Sequence, residues 1–356
     1  MIKKWISLLL ILLLLTGCLK KNILDDVRLV TAIGYDPINT EELKITTVVP
    51  LFRSDQSTSS ETHTDIANIT TEGNKKMDNM SSKPFVKGKL EVILYNKKLA
   101  EKGLLPIIDL LVRDPSIGTR AFLAISDEEV NQLLSGQYSS QDNGMYIADM
   151  INQNIELGLT PKMNLHLWLN GFYAEGSDPY APIINTYNQN VKITGIALFK
   201  DDKMVSDLPS DSLFTFKTLV QPKTKRGIFT AELDNKEVVA IYKVNGKRTI
   251  KVKNIEQSPT IKVDIKLYGI IKEFSGEVVN DKIMHQIEKS IEDKIKTQAS
   301  EMISQFQELN IDPVGFGEEI RSKSRSWNQQ QWNDKYPDCE ITVNVDVTIT
   351  ETGIVN

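Results

Sequence analysis

Apolar and polar residues alternate in two short runs near the start of the chain, and this pattern predicts two β-strands. The runs extend from Val27 to Ile33 and from Leu43 to Val49. A Gly-Tyr-Asp-Pro turn at 34–37 separates them, so the sequence predicts a hairpin. The stretch 53–64 is rich in Ser and Thr and cannot bury a face. It therefore predicts a mobile connection to a short strand near 66–70.

Between residues 88 and 168 the periodicity changes, and strands alternate with helices. The predicted elements are strands at 88–95 and 119–125, a helix at 97–112 interrupted at Pro106, a helix opened by a capping box at Ser126–Glu129, and helices at 146–155 and 160–168. Two prolines and a glycine within 176–182 then interrupt the pattern. We place a domain boundary near residue 185, and a further division near Gly144 stays open.

The second half of the chain is dense in strands. Alternating runs cover 191–199, 227–233, 237–244, 247–255 and 261–267. Asp201-Asp202 and Asn245-Gly246 lie between such runs and predict hairpin turns, because Asn-Gly readily adopts the positive φ values of a tight turn. Asn280 precedes a long amphipathic helical pattern that ends near Leu309, and the run 341–349 predicts a final strand with one buried face.

These patterns together predict an α+β fold with two or three mixed units of sheet and helix. The predicted segments are a signal peptide at 1–17, an N-terminal α+β unit at 18–185 and a C-terminal α+β domain at 186–356. We expect the C-terminal unit to be a largely antiparallel sheet covered by the long helix.

The first eighteen residues have the organisation of a bacterial lipoprotein signal peptide. Lys3 and Lys4 precede an apolar run from Trp5 to Leu15. Eleven helical residues rise only about 16 Å, which is too short to span a bilayer core of roughly 30 Å. Thr16 and Gly17 are followed at once by Cys18, and this ending resembles a lipobox. The sequence therefore predicts cleavage between Gly17 and Cys18 and lipidation of Cys18, which two acyl chains would hold at a membrane.

Charge and cysteine content limit the kind of partner and the disulfides that the chain can have. The chain has 42 basic and 47 acidic residues, a formal net charge of −5. Cleavage before Cys18 removes two lysines and no acidic residue, which changes that charge to −7. An acidic body argues against nucleic acid as a partner. Once Cys18 is acylated, Cys339 has no cysteine with which to pair within the chain.

Common catalytic and cofactor motifs are absent from the sequence. It contains no GxSxG, GxxxxGK[ST], HExxH or CxxC. His63, His166 and His285 are scattered, and no Cys or second His stands at ligand spacing from any of them. We therefore assign no catalytic residues, metal ligands or cofactor, and we expect alanine at each histidine to leave function intact.

Four local features have a structural and a functional interpretation. Asp127, Glu128 and Glu129 are explained by the macrodipole at a helix N-terminus. Trp327 and Trp332 either form an exposed patch or pack on the sheet, and we favour packing. The lone Cys339 is expected to be inert. The segment Gly315-Phe316-Gly317 predicts a packed turn, with an exposed partner anchor as the alternative.

Five collinear segments resemble the Ger(x)C family, the lipoprotein C subunits of nutrient germinant receptors in spore-forming bacteria. The segments are LVTAIGYDP (29–37), KLAEKGLLPIIDLLVRDPSIGTRAFLAIS (98–126), TGIALFKDDKMVSDL (194–208), IDPVGFGEEIR (311–321) and WNDKYPDCEITVNVDVTITETG (332–353). Two departures stand out. Leu19-Lys20-Lys21-Asn22 replaces the family's Trp and charged pair, and Thr350-Glu351-Thr352-Gly353 lacks the basic residues that relatives carry there.

The resemblance implies a non-enzymatic subunit on the outer face of the spore inner membrane. It implies integral membrane A and B subunits as partners and a response of the complex to small nutrients; it leaves open whether this subunit binds the nutrient. The main rival is the substrate-binding lipoprotein of an uptake system, which has two doubly wound α/β lobes. The consecutive hairpins of the second half argue against it. A lipid-anchored hydrolase is a third possibility, but it would need a nucleophile and base that the sequence does not display.

Overall fold

The computed structural model describes residues 26–52, 58–68, 83–233, 236–276 and 279–352. The strands are β1 Arg28–Leu29, β2 Ala32–Pro37, β3 Glu42–Phe52, β4 Thr58–Asn68, β5 Phe85–Val86, β6 Val92–Asn96, β7 Phe122–Ser126, β8 Tyr180–Tyr187, β9 Asn190–Lys200, β10 Lys203–Pro209, β11 Lys223–Glu232, β12 Val238–Lys253, β13 Thr260–Phe274 and β14 Glu340–Thr352. The helices are α1 Lys97–Ala100, α2 Leu105–Val112, α3 Val130–Ser135, α4 Asn143–Glu156, α5 Leu165–Tyr173, α6 Leu213–Val220, α7 Asp281–Glu308, α8 Phe316–Arg321 and α9 Gln329–Lys335.

An eight-stranded mixed sheet forms the first layer of the fold. Its strand order is β10-β9-β8-β7-β6-β2-β3-β4. The central strands β2, β6, β7 and β8 pair in parallel, and the outer pairs are antiparallel. The five side chains of β6 are all buried, as expected for a strand covered on both faces. The predicted pairing of the first two strands is confirmed, but the turn is not at 34–37, because Gly34–Pro37 lie inside β2 and the chain turns at 38–41. The predicted turn at Asp201-Asp202 is confirmed by the pairing of β9 with β10.

Helices cover both faces of this sheet. Leu99, Ile108 and Trp168, from α1, α2 and α5, pack on one face. Ile147 and Ile151 of α4, together with residues of α3, pack on the other. The helix predicted at 97–112 is interrupted, as expected, but the break lies at 101–104, between the end of α1 at Ala100 and Pro106 in the first turn of α2. The predicted cap at Thr160-Pro161 is wrong, since the Asn164 side chain accepts the Leu167 N–H and α5 begins at Leu165.

The sheet continues past the boundary predicted near residue 185. Asn185 lies within β8 and is paired with Lys192 of β9. The chain leaves this sheet only after Pro209, at the end of β10. Gly144 lies in the first turn of α4 and is buried against Thr31, so the structure has a packed helix where the further division was left open.

The mobile connection predicted at 53–64 is corrected by the structure of residues 58–68. Here the polar stretch forms strand β4, which pairs with β3 along its whole length instead of connecting two strands. Its polar side chains serve the sheet, because Ser60 Oγ accepts the Asn143 N–H and Thr64 Oγ accepts from Asn131 Nδ2. An outer strand needs little apolar surface of its own when its backbone pairs with a neighbour. Residues 53–57 lie outside the described residues.

The four-stranded sheet has the order β11-β12-β13-β14. Its first two pairings are antiparallel and the pairing of β13 with β14 is parallel. The predicted hairpin at Asn245-Gly246 is wrong, because both residues lie inside the continuous strand β12. The irregularity occurs at Lys243, where φ is 52° and the register shifts. A Cβ at Gly246 would collide with Leu267, so this glycine allows close approach of two strands.

The long helix α7 contacts both outer strands of this sheet. Asn280 caps it as predicted, and its buried stripe includes Ile287, Ile295 and Phe306. Its polar side chains also bond to strand backbone. Glu288 and Glu292 accept the N–H groups of β14, and Ser290 and Lys294 donate to carbonyl oxygens of β11. The sheet is therefore wrapped around one helix, and the predicted α+β class with its sheet and covering helix is confirmed.

One hydrophobic core joins the two sheets. The Phe216 ring of α6 lies 5.0 Å from that of Tyr180 in β8 and 6.2 Å from that of Phe306 in α7. Phe316 is fully buried in the same cluster, as predicted, although it begins α8 instead of forming a turn. Gly315 before it has φ 79°, a value that glycine adopts without strain.

Candidate functional site

The residues predicted for cleavage and lipidation, Gly17 and Cys18, lie outside the described residues. The three histidines lie on separate elements. His63, on β4, lies 3.2 Å from Glu61 and contacts Arg28, and burial lowers its pKa. His166 lies 3.3 Å from Asn170 on α5, and His285 is exposed on α7. Each histidine thus has a local environment of its own.

The acidic run 127–129 has structural partners. Asp127 accepts from Asn185 Nδ2, Glu128 accepts from the Thr186 hydroxyl, and Glu129 lies 3.2 Å from a lysine of β3. The predicted capping box does not form at α3, because Glu129 is the N-cap and its side chain bonds no helix N–H. The cap comes from Asp36 instead, whose carboxylate accepts the Val130 N–H and the following one, each at 2.8 Å.

The tryptophans and the lone cysteine are packed, in line with the favoured interpretation. Trp332 is 5% exposed, and its ring centroid lies 5.1 Å from that of Tyr336. Trp327 is partly buried and donates from Nε1 to Glu175. Cys339 donates from Sγ to the Pro259 carbonyl, and burial raises the pKa of its thiol to about 12. A thiol with so high a pKa is a poor nucleophile.

Three of the five segments that carry the family resemblance meet around the Asp201-Asp202 turn, and a fourth begins directly after Asn310, which contacts them. Asp202 accepts the Leu105 N–H through its side chain, which fixes the start of α2. Beside it, Lys200 Nζ donates to the Asn310 carbonyl at 3.1 Å, and Asn310 Nδ2 donates to the Asn333 carbonyl. The structure thus joins segments from both sheets at this turn, and we call the region the seam.

Two aspartates, the buried Asp312 and the partly buried Asp178, form the centre of the seam. Asp178 Oδ2 accepts the Asp312 N–H at 2.7 Å, and the Asp178 N–H donates to the Asp312 carbonyl at 2.9 Å. The Asp312 carboxylate accepts the N–H groups of Gly315 and Gly317. Burial raises the pKa of Asp178 and raises that of Asp312 to about 7. Desolvation of the charged form outweighs the backbone hydrogen bonds in both cases.

Two glycines allow the units to touch at the seam. The Glu318 N–H donates to the Gly176 carbonyl at 2.9 Å. A Cβ on Gly317 would stand 2.7 Å from the Gly176 Cα and would also collide with the Trp332 indole. Backbone therefore packs directly on backbone here, a contact that larger side chains would prevent.

Sequence reasoning missed Asp178 and Asp312, although the chain carries a signal for them. Four of its 13 prolines follow an aspartate, at Asp36, Asp114, Asp178 and Asp312. In each case the aspartate side chain accepts at least one backbone N–H. A residue before proline is held in an extended conformation, which frees its carboxylate to bond a neighbouring loop or helix start.

Two searches of the described residues gave negative results. No group of three or more His, Cys, Asp or Glu side chains in these ranges is arranged to hold a metal ion. Likewise, none of the helices within the described ranges is both long and apolar enough to cross a membrane.

Comparisons with known proteins match almost the whole chain. A family model described as "Spore germination protein N-terminal domain" matches residues 20–186, and one described as "Spore germination B3/ GerAC like, C-terminal" matches residues 194–353. The junction between them falls at the β8–β9 hairpin, near the boundary predicted from sequence, whereas the sheets change only after Pro209.

Individual relatives agree with these matches. Spore germination protein GerQC of Bacillus cereus is 29% identical, with 99% of each chain covered. The putative spore germination protein YfkR of Bacillus subtilis (strain 168) is 26% identical over 99% of this chain and 97% of its own. The crystal structure of the GerBC protein has the same fold, with a TM-score of 0.59 and 17% identity over 89% of this chain and 96% of the other.

Proposed function

Because the chain belongs to the family of spore germination proteins, we propose that it is the lipid-anchored C subunit of a nutrient germinant receptor. In this proposal Cys18 carries the lipid, the folded part lies on the outer face of the spore inner membrane, and integral membrane A and B subunits are its partners. The subunit catalyses no reaction and acts by its presence in the complex.

The observation that carries the proposal is the order of three features along one chain. An apolar run ending in Leu15-Thr16-Gly17-Cys18 precedes both family segments, which follow collinearly from residue 20 to residue 353. Eight peptide steps separate Cys18 from Asp26, the first described residue. At no more than about 3.6 Å per residue, the tether would reach roughly 29 Å at most, which keeps the folded part close to the membrane surface.

A non-enzymatic role is supported by how the chemically capable residues are used. The acidic run at 127–129 bonds to a neighbouring strand, and the Cys339 thiol has a raised pKa. Asp36 and Asp312 use their carboxylates to accept backbone N–H groups. These roles stabilise structure, and they match a subunit whose contribution is a surface for other chains.

The two cysteines allow a matched test of anchoring. Intact mass of the protein extracted from spore membranes should correspond to a chain that begins at Cys18 with acyl groups attached. Cys18→Ala should release the protein from the membrane and weaken nutrient-triggered germination. Cys339→Ala, which changes the other cysteine, should leave both unchanged if the protein accumulates normally. A Cys18→Ala protein that stays membrane-bound in spores would contradict lipid anchoring.

Partner identity needs a separate measurement. Affinity capture of the tagged protein from detergent-solubilised dormant spore membranes should recover two integral membrane proteins, and mass spectrometry would identify them. Recovery of an ATP-driven permease instead would favour the uptake-system alternative. Capture of the chain alone under conditions that preserve other membrane complexes would contradict the receptor proposal.

A further inference from the structure

The seam contains a polar cavity of about 120 Å³ between the two sheets. Phe172 and Asp178 line it from the N-terminal side, and Asp312, Gln329, Trp332 and Tyr336 line it from the C-terminal side. One water molecule occupies about 30 Å³ of liquid, so a cavity of this size has room for a small solute as well as for water. It combines three aromatic rings with the carboxylates of Asp178 and Asp312 and that of the exposed Asp201.

Two side chains of the cavity keep a buried polar atom without a hydrogen-bond partner among the described residues. These atoms are the hydroxyl of Tyr336 and Oε1 of Gln329. Tyr336 is only 1% exposed, so bulk water does not reach its hydroxyl freely. Buried polar atoms are nearly always paired in folded proteins, so an unpartnered one beside a cavity has hydrogen-bonding capacity left for a water, ion or ligand.

The cavity also concentrates negative charge. Asp178 and Asp312 both line it, and each carboxylate accepts its hydrogen bonds from neutral backbone N–H groups. The Lys200 ammonium lies at the same cavity but donates to the Asn310 carbonyl. Burial raises the pKa of both aspartates, and the Lys200 charge offsets this only in part at Asp178.

We propose that the seam cavity binds a small primary ammonium ion. Such an ion presents three N–H donors. The cavity offers acceptors in Gln329 Oε1, in the Tyr336 hydroxyl and in the carboxylates of Asp178 and Asp312. The aromatic faces of Phe172, Trp332 and Tyr336 would add cation–π attraction. No covalent step is involved, and the proposal does not depend on the receptor function proposed above.

Binding at this place would join the two halves of the molecule. Asp178 belongs to the loop that leads into β8, whereas Tyr336 follows α9 in the C-terminal half. A cation between them would offset the charge of Asp178 and Asp312 at the contact of the two sheets. The ligand should therefore stabilise the folded chain, in proportion to its concentration above the dissociation constant.

The test uses the full chain purified in detergent at pH 8 and constant ionic strength. Sodium chloride is replaced stepwise by methylammonium chloride, and the melting temperature is followed. We expect a saturable rise in melting temperature with methylammonium, and none with potassium or with tetramethylammonium, which lacks N–H donors. Equal changes in melting temperature with methylammonium, potassium and tetramethylammonium would show that the effect is not specific to the primary ammonium ion and would overturn the proposal.

Tyr336→Phe is the decisive variant. It keeps the ring and removes only the unpartnered hydroxyl, so the protein should fold as the parent does. Its apparent affinity for methylammonium should fall at least about tenfold, a change of 1.4 kcal/mol. Gln329→Leu, a second variant that removes the other acceptor, should weaken binding in the same direction. The control is Tyr268→Phe on β13, where the side chain is 46% exposed and outside the cavity.

Two results would exclude the site. If Tyr336→Phe and Gln329→Leu respond to methylammonium as the parent does, the ion binds elsewhere. If the melting temperature of the parent does not rise at any methylammonium concentration at constant ionic strength, the cavity holds water only.

Discussion

The eight-stranded and four-stranded sheets bury their faces in different ways. Helices cover the first on both sides, and its central strand β6 is buried at all five positions. In the second, buried and accessible positions alternate along β13, because only the inner face packs against α7. The contrast shows that a hydrophobic pattern reports how many faces of a strand are covered, and that it says nothing about what lies at the sheet edge.

The two sheets also differ in what their helices supply. The helices of the N-terminal sheet contribute mainly apolar side chains to it. Helix α7 contributes an apolar stripe and, beside it, carboxylates and amino groups that bond to strand backbone. One helix thus covers a face and also engages both outer strands of the smaller sheet.

The largest effect should come from the ring that links the two sheets. Phe306→Ala removes a fully buried side chain beside Phe216, and such changes cost about 3–5 kcal/mol of unfolding free energy. Because one core joins the sheets, hydrogen exchange should become faster in both β6 and β13. Glu301→Ala, at an exposed position of the same helix, is the control. Faster exchange in β13 alone would show that the two sheets unfold independently.

A smaller effect on the unfolding free energy is expected from pH, through the aspartates of the seam. The pKa of Asp312 is raised from 3.8 to about 7, so the folded state favours its protonated form. The stabilising contribution of Asp312 should therefore be fully present below about pH 4 and should decrease as pH rises towards 7, by roughly 2 to 4 kcal/mol. Asp178 lies beside it and its raised pKa acts in the same direction.

Urea denaturation between pH 4.5 and 8 measures this dependence. Asp312→Asn should flatten the slope without abolishing it, since Asp178 remains. The other groups beside Asp312 titrate outside the range, because burial raises the pKa of Tyr336 and raises that of Cys339 to about 12. Arg248 stays charged throughout. An unchanged slope in Asp312→Asn would mean that Asp312 is not the titrating group.

The hydrogen bonds from α7 to the backbone of β14 should contribute less to the unfolding free energy than the buried ring of Phe306 does. Replacing both Glu288 and Glu292 with alanine leaves the N–H groups of Val347 and Ile349 without these acceptors. An unsatisfied backbone N–H costs about 1–3 kcal/mol, less where water reaches it. We expect a loss of about that size in urea denaturation, with exchange of these two amides accelerated first. Glu301→Ala again serves as the control, and equal losses in both variants would contradict an edge-specific role.

The smallest effects are expected at the histidines. Alanine at His166 or His285 should change stability by less than about 0.5 kcal/mol, because both lie on helix surfaces. His63→Ala should cost somewhat more, since this ring packs edge-on against Phe85. Germination triggered by nutrients should continue in all three variants at normal protein level. Loss of the response without loss of protein would reveal a functional histidine.

The sequence predicted elements that depend on local periodicity. The long helix, the final strand and the pairing of the first two strands are confirmed because each follows from spacing or a cap within a few residues. Asn245-Gly246 failed because β12 pairs along its length with both β11 and β13, which overrides a local turn preference. The cap of α3 failed because Asp36 supplies it from 94 residues away.

The candidate site was harder to predict than the fold. Phe316, Trp332 and Tyr336 are aromatic residues whose burial follows from their size. The pairing of Asp178 with Asp312 joins residues 134 positions apart. An Asp-Pro dipeptide indicates that the aspartate carboxylate accepts a backbone N–H of a neighbouring loop or helix start. Only the folded chain brings the loops of Asp178 and Asp312 to one cavity.

The carboxylates of α7 would have a further consequence under the proposed lipid anchoring, which would hold copies of the chain side by side on a membrane. Confinement to a surface raises the local concentration of a lipid-anchored protein, and an open sheet edge would then invite fibril-like stacking of neighbours. Glu288 and Glu292 already occupy the outward N–H groups of Val347 and Ile349, so an incoming strand would have to displace them. The same helix that completes the fold would thereby oppose strand addition at these two positions of the edge.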